Sequence, residues 1–590
     1  MLPTDISDPS YFHKVVDCQW ACPAHTPVPE YIRLIAEQRY TDAYMINWVS
    51  NVFPGVLGRT CDRPCEPACR RGRTHDKPVA ICRLKRVAAD YRGDISDRLP
   101  DIPTEKNGKR IALVGAGPAS LTVARDLMPL GYECVLFEGE TLGGGFMRSQ
   151  IPSFRLPVDV LDDEVNMILD MGVECRFGHY VDSLKSLLND NFDAVFVGTG
   201  APRGRDLNIP GREEADASIS IGIDWLSSVA FEHTHSIGKR VLVLGGGNTA
   251  MDCCRTARRL GGEDVRVVVR SGFDEMKASD WEKEDAIAED IPIFNNHVPK
   301  EFVVEDGILK GVRFETVNRV PDGKGGLTSV PTGQDPVFMQ CDHVLLAIGQ
   351  ENSFPWIERD IGITFDEWDM PVVNETTLQS THPKVFFGGD AALGPKNIIW
   401  AAAHGHQAAI SIHHACQGIP VTKRPPPTVT LASQKMGIHE WSYGNDIDNA
   451  KRFLVPHAEK TKALADRKLE VELGFDEELA FQEAARCLNC DVQTVFKASE
   501  CIECDSCVDI CPMDCISFVE NGEEADLRQR LMAPADNLEQ DLYVSRELKT
   551  KRVMVKDEDM CLHCGMCAER CPTTAWDMQK FLYNEAQANR

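Results

Sequence analysis

The chain has 590 residues, 23 of them cysteine, with a formal net charge of −27, 43 % hydrophobic and 26 % charged residues. That length exceeds what one hydrophobic core supports and predicts several domains, while the balance of residues excludes a disordered chain. The strong negative charge argues against any role built on neutralising phosphate backbones, so nucleic acid is not an expected ligand, and an acidic surface suits docking to a basic partner.

Met1 to Ser10 carries acids and prolines where a signal peptide has a basic start and an apolar stretch. No run of about 18 apolar residues occurs, so a cytoplasmic protein without a membrane span is expected. In such a chain, clustered cysteines read as metal or cluster ligands rather than as a disulfide framework. Residues 1–105 form the first expected unit, a helical iron–sulfur domain with helical patterns such as Pro29 to Asn47. It holds Cys18-x3-Cys22-Pro23, then Cys61-x3-Cys65-x3-Cys69, then Cys82. These six cannot complete two four-ligand sites. The missing pair is sought in Cys487-Leu488-Asn489-Cys490, far along the chain. The alternative is that Cys82 or the 487/490 pair are ordinary buried thiols.

Residues 106–420 alternate short apolar runs with helical patterns and carry two glycine fingerprints, which predicts α/β architecture with two Rossmann-like, doubly wound dinucleotide-binding domains. The expected division is a first FAD-binding part at 106–215, an NAD(P)H-binding domain at 216–350 and a second FAD-binding part at 351–420. The apolar run 109–114 leads into Gly115-Ala116-Gly117-Pro118-Ala119-Ser120, a helical stretch, and a strand ending in Glu138. Glycines let a pyrophosphate approach, the helix start favours its charge, and the acid accepts bonds from ribose hydroxyls. Ser120 stands where a third glycine or alanine is usual and is small enough for close helix–strand packing. Later, Val385-Phe386-Phe387-Gly388-Gly389-Asp390 precedes a helix containing Ala401 to Ala409. Gly389 and Asp390 there suit a flavin's ribityl chain, so FAD is the expected occupant of this pair.

The second fingerprint, Gly245-Gly246-Gly247-Asn248-Thr249-Ala250, follows the run 239–244. Gly245, Gly247, Asn248, Thr249 and Ala250 are the expected contacts of a nicotinamide dinucleotide. The next strand ends in Arg270 rather than an acid, which favours the extra phosphate of NADPH over NADH. Two dinucleotide sites in one chain predict hydride transfer from nicotinamide to flavin, and a flavin releases electrons singly to one-electron carriers.

Residues 421–490 read as a proline linker followed by a helical, charged segment ending in the CxxC pair. Residues 491–590 read as an α+β bacterial ferredoxin-like domain. Cys501-x2-Cys504-x2-Cys507-x3-Cys511-Pro512 and Cys561-x2-Cys564-x2-Cys567-x3-Cys571-Pro572 match the two-cluster ferredoxin run. In that run the fourth cysteine serves the other cluster. One [4Fe–4S] site is therefore expected from Cys501, Cys504, Cys507 and Cys571, and a second from Cys561, Cys564, Cys567 and Cys511. Cys515 is expected as a packed thiol beside the site. Cys134, Cys175, Cys253, Cys254, Cys341 and Cys416 lack ligand spacing, and no CxxC stands where a disulfide reductase needs one.

With these residues the chain resembles the small (β) subunit of NADPH-dependent glutamate synthase and its relatives, which include the N-terminal part of dihydropyrimidine dehydrogenase. The resemblance covers about residues 12 to 415. It rests on Gly58-Arg59-Thr60-Cys61, Cys65-Glu66 and Cys69, on Gly115 to Ala119, on Ile151-Pro152-Ser153-Phe154-Arg155-Leu156-Pro157, on Gly245 to Asp252 and on Gly388-Gly389-Asp390. It implies FAD on the first fingerprint, NADPH on the second and two clusters in the N-terminal helical domain. Three features depart from the family. Arg486-Cys487-Leu488-Asn489-Cys490 follows the reductase instead of preceding it, Cys82 stands where relatives use another residue, and a ferredoxin is appended.

The expected function is electron transfer between NAD(P)H and a ferredoxin or partner oxidoreductase, within a hetero-oligomer, with a 2-oxoacid:ferredoxin oxidoreductase as the favoured partner. The alternatives are a glutamate synthase small subunit and, from another class, a zinc-binding assembly scaffold. No catalytic side chain beyond the cofactors is expected.

Overall fold

The computed structural model describes residues 1–74, 77–323, 326–433, 450–535 and 537–589. Two five-stranded parallel sheets lie at its centre. The first has the strand order Val385–Phe387, Ala194–Val197, Arg110–Val114, Glu133–Glu138, Glu174–Phe177. Ile111 pairs with Cys134 on one side and Ala194 on the other. The second has the order Ile219–Ile221, His343–Leu346, Arg240–Leu244, Asp264–Val268, Ile293–Phe294. In both sheets the strand entering the glycine fingerprint is central, with neighbours leaving in opposite directions. That is the switch point at which open α/β sheets bind ligands. The central strands read as near-continuous apolar runs because both faces are covered, and Ile111 to Leu113 are fully buried.

The 216–350 stretch also contains an antiparallel sheet built from His297–Glu305, Ile308–Pro321, Leu327–Pro331 and Val337–Gln340. Nothing in the glycine fingerprints pointed to it. The helical pattern at Pro29 to Asn47 resolves into two helices, Val28–Ala36 and Tyr40–Asn51. Helices Pro54–Thr60 and Ile81–Asp90 pack beside them.

The helical reading of 428–490 needs correction. Thr428–Ser433 is a strand, paired antiparallel with Trp576–Asn584 of the ferredoxin-like region. Its Thr-Val-Thr-Leu alternation suits an edge strand better than a helix face. Residues 434–449 of that stretch lie outside the described residues. Beyond them the helices are short, Lys460–Ala465 and Glu477–Ala484. Much of 450–473 is a strap held by ion pairs. Arg452 reaches Glu66 and Glu470 reaches Arg59 on the N-terminal helices, while Lys460 reaches Asp290 and Lys468 reaches Glu232 on the second sheet's domain.

The C-terminal hundred residues pair their strands in two three-stranded sheets. One is Thr428–Ser433, Trp576–Asn584, Val492–Phe496; the other is Ile516–Glu520, Arg552–Lys556, Tyr543–Val544. This block shares one apolar cluster with the N-terminal helices, in which Phe12, Tyr31, Trp576 and Phe581 are all buried. The two ends of the chain therefore fold as neighbours. Among the described residues no helix is long and apolar enough to cross a membrane.

Candidate functional site

A cavity of about 670 Å3 runs between the two parallel sheets' domains. Gly115, Gly117, Pro118, Glu138, Gly389 and Asp390 line it from the first domain, and Asn248 and Thr249 from the second. The chain reverses sharply at Gly115 because φ is +91°, and a Cβ there would sit 2.8 Å from the Gly198 carbonyl. Only glycine fits. Helix Pro118–Leu127 starts at Gly117 and helix Asn248–Arg259 at Gly247, and neither start is capped by a side chain. Their first-turn N–H groups are left for an anion. A Cβ on Gly247 would meet nothing within 4 Å, so a phosphate can come directly against the backbone.

Glu138 is shaped for a ribose before any ribose arrives. Its carboxylate accepts from Ala116 N at 2.7 Å and Glu140 N at 3.0 Å, and burial raises its pKa. Asp390 accepts from Lys396 N at 2.9 Å, and burial raises it as well. Thr199 Oγ1 is buried on the cavity wall without a partner among the described residues. An orphaned hydroxyl in a cavity lined by open helix starts fits a polar dinucleotide. Ser120 instead packs beneath Gly198, and Ala250 is fully buried; neither lines the cavity. Gly245 and Gly247 are not part of its wall either, though the Gly247 backbone stays open. Arg270 stands on the surface two residues beyond its strand, with no hydrogen bond or ion pair among the described residues.

Two residues not anticipated from the fingerprints close the cavity on the cysteine side. Thr60 and Asp62, on either side of Cys61, both line it. The Asp62 carboxylate accepts from Asn397 Nδ2 at 2.8 Å and Asn248 Nδ2 at 3.4 Å. Asn397 in turn caps helix Ile398–Cys416 by accepting from Trp400 N. One carboxylate thus joins the N-terminal helices to the leading ends of a helix in each dinucleotide domain. Its position next to Cys61 was the only clue in the sequence.

The sixteen cysteines singled out from spacing gather into four sets of four. Cys22, Cys61, Cys65 and Cys82 form the set nearest the cavity. Burial pushes the Cys61 thiol up to about 12, with Lys85 pulling against it and Cys82 and Cys22 adding to it. Burial likewise holds Cys65 well above the ordinary thiol range, with Cys61 and Cys22 as near neighbours. Cys82 comes from helix Ile81–Asp90, its thiol donating to Leu57 O at 3.2 Å. Cys18 and Cys69 share a second small cavity with Cys487 and Cys490, which the strap returns to the N-terminal helices. Burial pushes Cys487 up to about 12, and Cys69 is among its neighbours.

In the C-terminal region Cys501 has Cys571 and Cys504 beside it, and Cys507 has Cys501 and Cys571. Cys564 has Cys561 and Cys511. The crossed arrangement of the ferredoxin run is therefore present. Cys515 packs with its sulfur 3.5 Å from that of Cys511. Its thiol is the main reason Cys511 falls to about 6. Cys253 and Cys254 are free and buried, as are the other thiols without ligand spacing apart from the partly exposed Cys175 and Cys416.

A backbone device recurs. Arg63, Asn489, Glu503 and His563 have φ of 57°, 49°, 57° and 53°. Each stands two residues after the first cysteine of a motif. The left-handed turn folds the N–H back onto sulfur, at 3.4 Å for Arg63 to Cys61, 3.3 Å for Glu503 to Cys501 and 3.3 Å for His563 to Cys561. Non-glycine residues in this region carry strain, which a fold retains at functional sites. N–H···S bonds are one of the means by which a protein tunes an iron–sulfur cluster. Thiols crowded in fours, with the first sulfur of each of these motifs bonded by a strained N–H, fit clusters better than independent thiols.

Comparison with known proteins agrees with this geometry. Residues 109–407 match the pyridine nucleotide-disulphide oxidoreductase family. Residues 12–95 match dihydropyrimidine dehydrogenase domain II, 4Fe-4S cluster, and residues 500–575 match a 4Fe-4S dicluster domain. The chain is 33 % identical over 503 residues to the NADP(+)-dependent formate dehydrogenase subunit beta of Moorella thermoacetica, covering 80 % of this chain and 70 % of the relative. It is 31 % identical over 528 residues to the NADPH-Fe(3+) oxidoreductase subunit beta of Geobacter sulfurreducens, covering 82 % and 77 %. To the glutamate synthase [NADPH] small chain of Azospirillum brasilense it is 30 % identical over 420 residues, covering 67 % and 85 %.

Proposed function

Since the chain belongs to the pyridine nucleotide-disulphide oxidoreductase family and carries 4Fe–4S domains at both ends, we propose that it is the NADPH-oxidising subunit of a larger oxidoreductase and passes electrons to a catalytic partner subunit through a fixed series of cysteine sites. The chain is an NAD(P)H-dependent FAD and iron–sulfur electron-transfer subunit. When bound, FAD takes a hydride's two electrons and the clusters carry them one at a time.

The observation that carries the reading is the unbroken succession of contacts from the cavity to the surface. Thr60 and Asp62 lie on the cavity wall and flank Cys61. Cys22 and Cys18, four residues apart, join the first cysteine set to the second. Cys490 O meets His563 Nδ1 at 3.0 Å, and the His563 N–H bonds the Cys561 sulfur. Arg70, beside Cys69, donates to Cys561 O at 2.5 Å. Cys567 has Cys507 among its neighbours. Cys504 ends the series as the one exposed cysteine of the chain. The side chains along this route exclude water and hold their sulfurs in order. Arg155 and Asp62 fix the two dinucleotide domains on either side of the cavity.

Both Moorella thermoacetica and Geobacter sulfurreducens relatives are named as beta subunits, which favours a catalytic partner of the dehydrogenase or metal-reductase kind over the 2-oxoacid:ferredoxin oxidoreductase expected from the sequence. The 4Fe–4S domain matches displace the zinc-scaffold alternative. The match to the glutamate synthase small chain covers 67 % of this chain, and the ferredoxin-like end favours an acceptor other than a glutamate synthase large subunit.

The test is anaerobic mixing of the purified holoprotein with NADPH and, separately, NADH. Fast loss of flavin absorbance followed by broad cluster bleaching with NADPH supports the series. Flavin bleaching without cluster bleaching refutes it.

A further inference from the structure

Helix Ile81–Asp90 brings a lysine as well as a cysteine to the first cysteine set. Lys85 lies one turn beyond Cys82, so the two share a helix face. Its side chain is buried, with only 5 % of the residue exposed. It forms no hydrogen bond or ion pair among the described residues. The groups whose charge bears on it are Cys61, Cys82, Cys22 and Cys65, the four members of that set. The neighbouring cations have other partners as well. Arg83 donates to the Cys82 sulfur at 3.7 Å but also pairs with Glu472, Arg86 pairs with Asp90, Arg59 with Asp90 and Glu470, and Arg63 lies over the Trp281 ring at 4.0 Å. Glu66, a buried acid of helix Cys65–Ala68, accepts from Cys82 N and pairs with Arg452.

A buried ammonium without an anion costs several kcal/mol and ordinarily sheds its proton. Four thiolates around an iron–sulfur core supply the missing negative charge. We propose that Lys85 is the counter-cation of the cluster held by Cys22, Cys61, Cys65 and Cys82, and that its charge raises the reduction potential of that site. This rests on the cluster reading of the preceding section and assigns Lys85 a positioning and tuning role in it. Reduction adds a negative charge to the site, and a fixed buried cation beside it stabilises the reduced state over the oxidised one. Methionine at this position would keep an unbranched chain of similar length without the charge, whereas arginine would keep the charge.

The experiment compares wild type with Lys85→Met and Lys85→Arg as anaerobically purified holoproteins. Iron and acid-labile sulfide are measured per FAD, and the clusters are titrated with EPR detection. Lys85→Met is expected to keep its iron and to show one cluster signal shifted to lower potential, with its reduced-to-oxidised ratio about tenfold lower at the wild-type midpoint, the effect of one charge interaction of the size that moves a pKa by about one unit. Lys85→Arg is expected to titrate near wild type. Lys85→Met with full iron and every midpoint unchanged overturns the proposal. If Lys85→Met loses one cluster, retention of that cluster in Lys85→Arg supports the charge requirement, and its loss there too overturns it. Wild-type protein without acid-labile sulfide removes the cluster reading itself, before any variant is compared.

Discussion

Arg155→Met strikes the clamp between the two dinucleotide domains. The Arg155 guanidinium donates to both Asp252 carboxylate oxygens, at 2.6 and 2.8 Å, and pairs with Glu282. The three side chains are 12 %, 8 % and 5 % exposed. Removing the arginine strands two buried carboxylates, with Arg255 left to Glu282 at 3.6 Å. Breaking a buried pair in this way costs about 3–5 kcal/mol, a large part of the about 5–15 kcal/mol that holds a domain together. Burial already pushes Asp252 up to about 6 even with Arg155 pulling down, and without Arg155 its pKa climbs further. A carboxyl whose folded pKa exceeds its unfolded value keeps a proton that the unfolded chain has released, so its contribution falls as pH rises from about 4 to the folded pKa. In Arg155→Met that fall continues above about 6, and the deficit against wild type is expected to be larger at pH 8 than at pH 5. Urea unfolding of the first transition, followed by flavin fluorescence and far-UV circular dichroism at both pH values, measures it. Stopped-flow reduction by NADPH should slow in the same variant, because the second sheet's domain loses its tether beside the cavity. A variant within about 0.5 kcal/mol of wild type at both pH values, or one more destabilised at pH 5, refutes the reasoning.

Cys487→Ala/Cys490→Ala is expected to remove about four irons per chain while leaving the C-terminal EPR signals, because it takes two thiols from the set completed by Cys18 and Cys69; a full iron complement would show that the strap carries no ligand. Arg270→Ala should raise KM for NADPH about tenfold, the loss of one exposed charge-assisted bond of about 1.5 kcal/mol, with NADH unchanged and thermal stability within experimental error. Equal effects on the two nucleotides would place the 2′-phosphate elsewhere.

The local readings in the sequence carried far because each depended on short spacing. Strand, glycine turn and helix lie within thirty residues of one another in both fingerprints, and the backbone conformation they need follows from residue type: Gly115 and Gly245 both adopt positive φ with a carbonyl close by. The ferredoxin motifs are equally local, and their crossed arrangement follows from their spacing. The edge strand Thr428–Ser433 was missed because a strand is stabilised by a partner 150 residues away, which a local propensity does not register. Arg155, Asp62 and Lys85 escaped for a related reason: an arginine, an aspartate and a lysine are ordinary surface residues until packing removes their water.

Sequence alone therefore determined the two dinucleotide folds, the C-terminal cluster motifs and the inventory of thiols, since these depend on contacts within one supersecondary unit. Tertiary structure alone decided how the remaining eight thiols divide into two sets. Cys18 and Cys69 meet Cys487 and Cys490 because the strap's ion pairs and one apolar cluster shared by both ends of the chain bring them to one place. It also buried Lys85 within the electrostatic reach of four thiols, without an ion pair among the described residues, a charge imbalance that exists only once the helices have closed over it and excluded water.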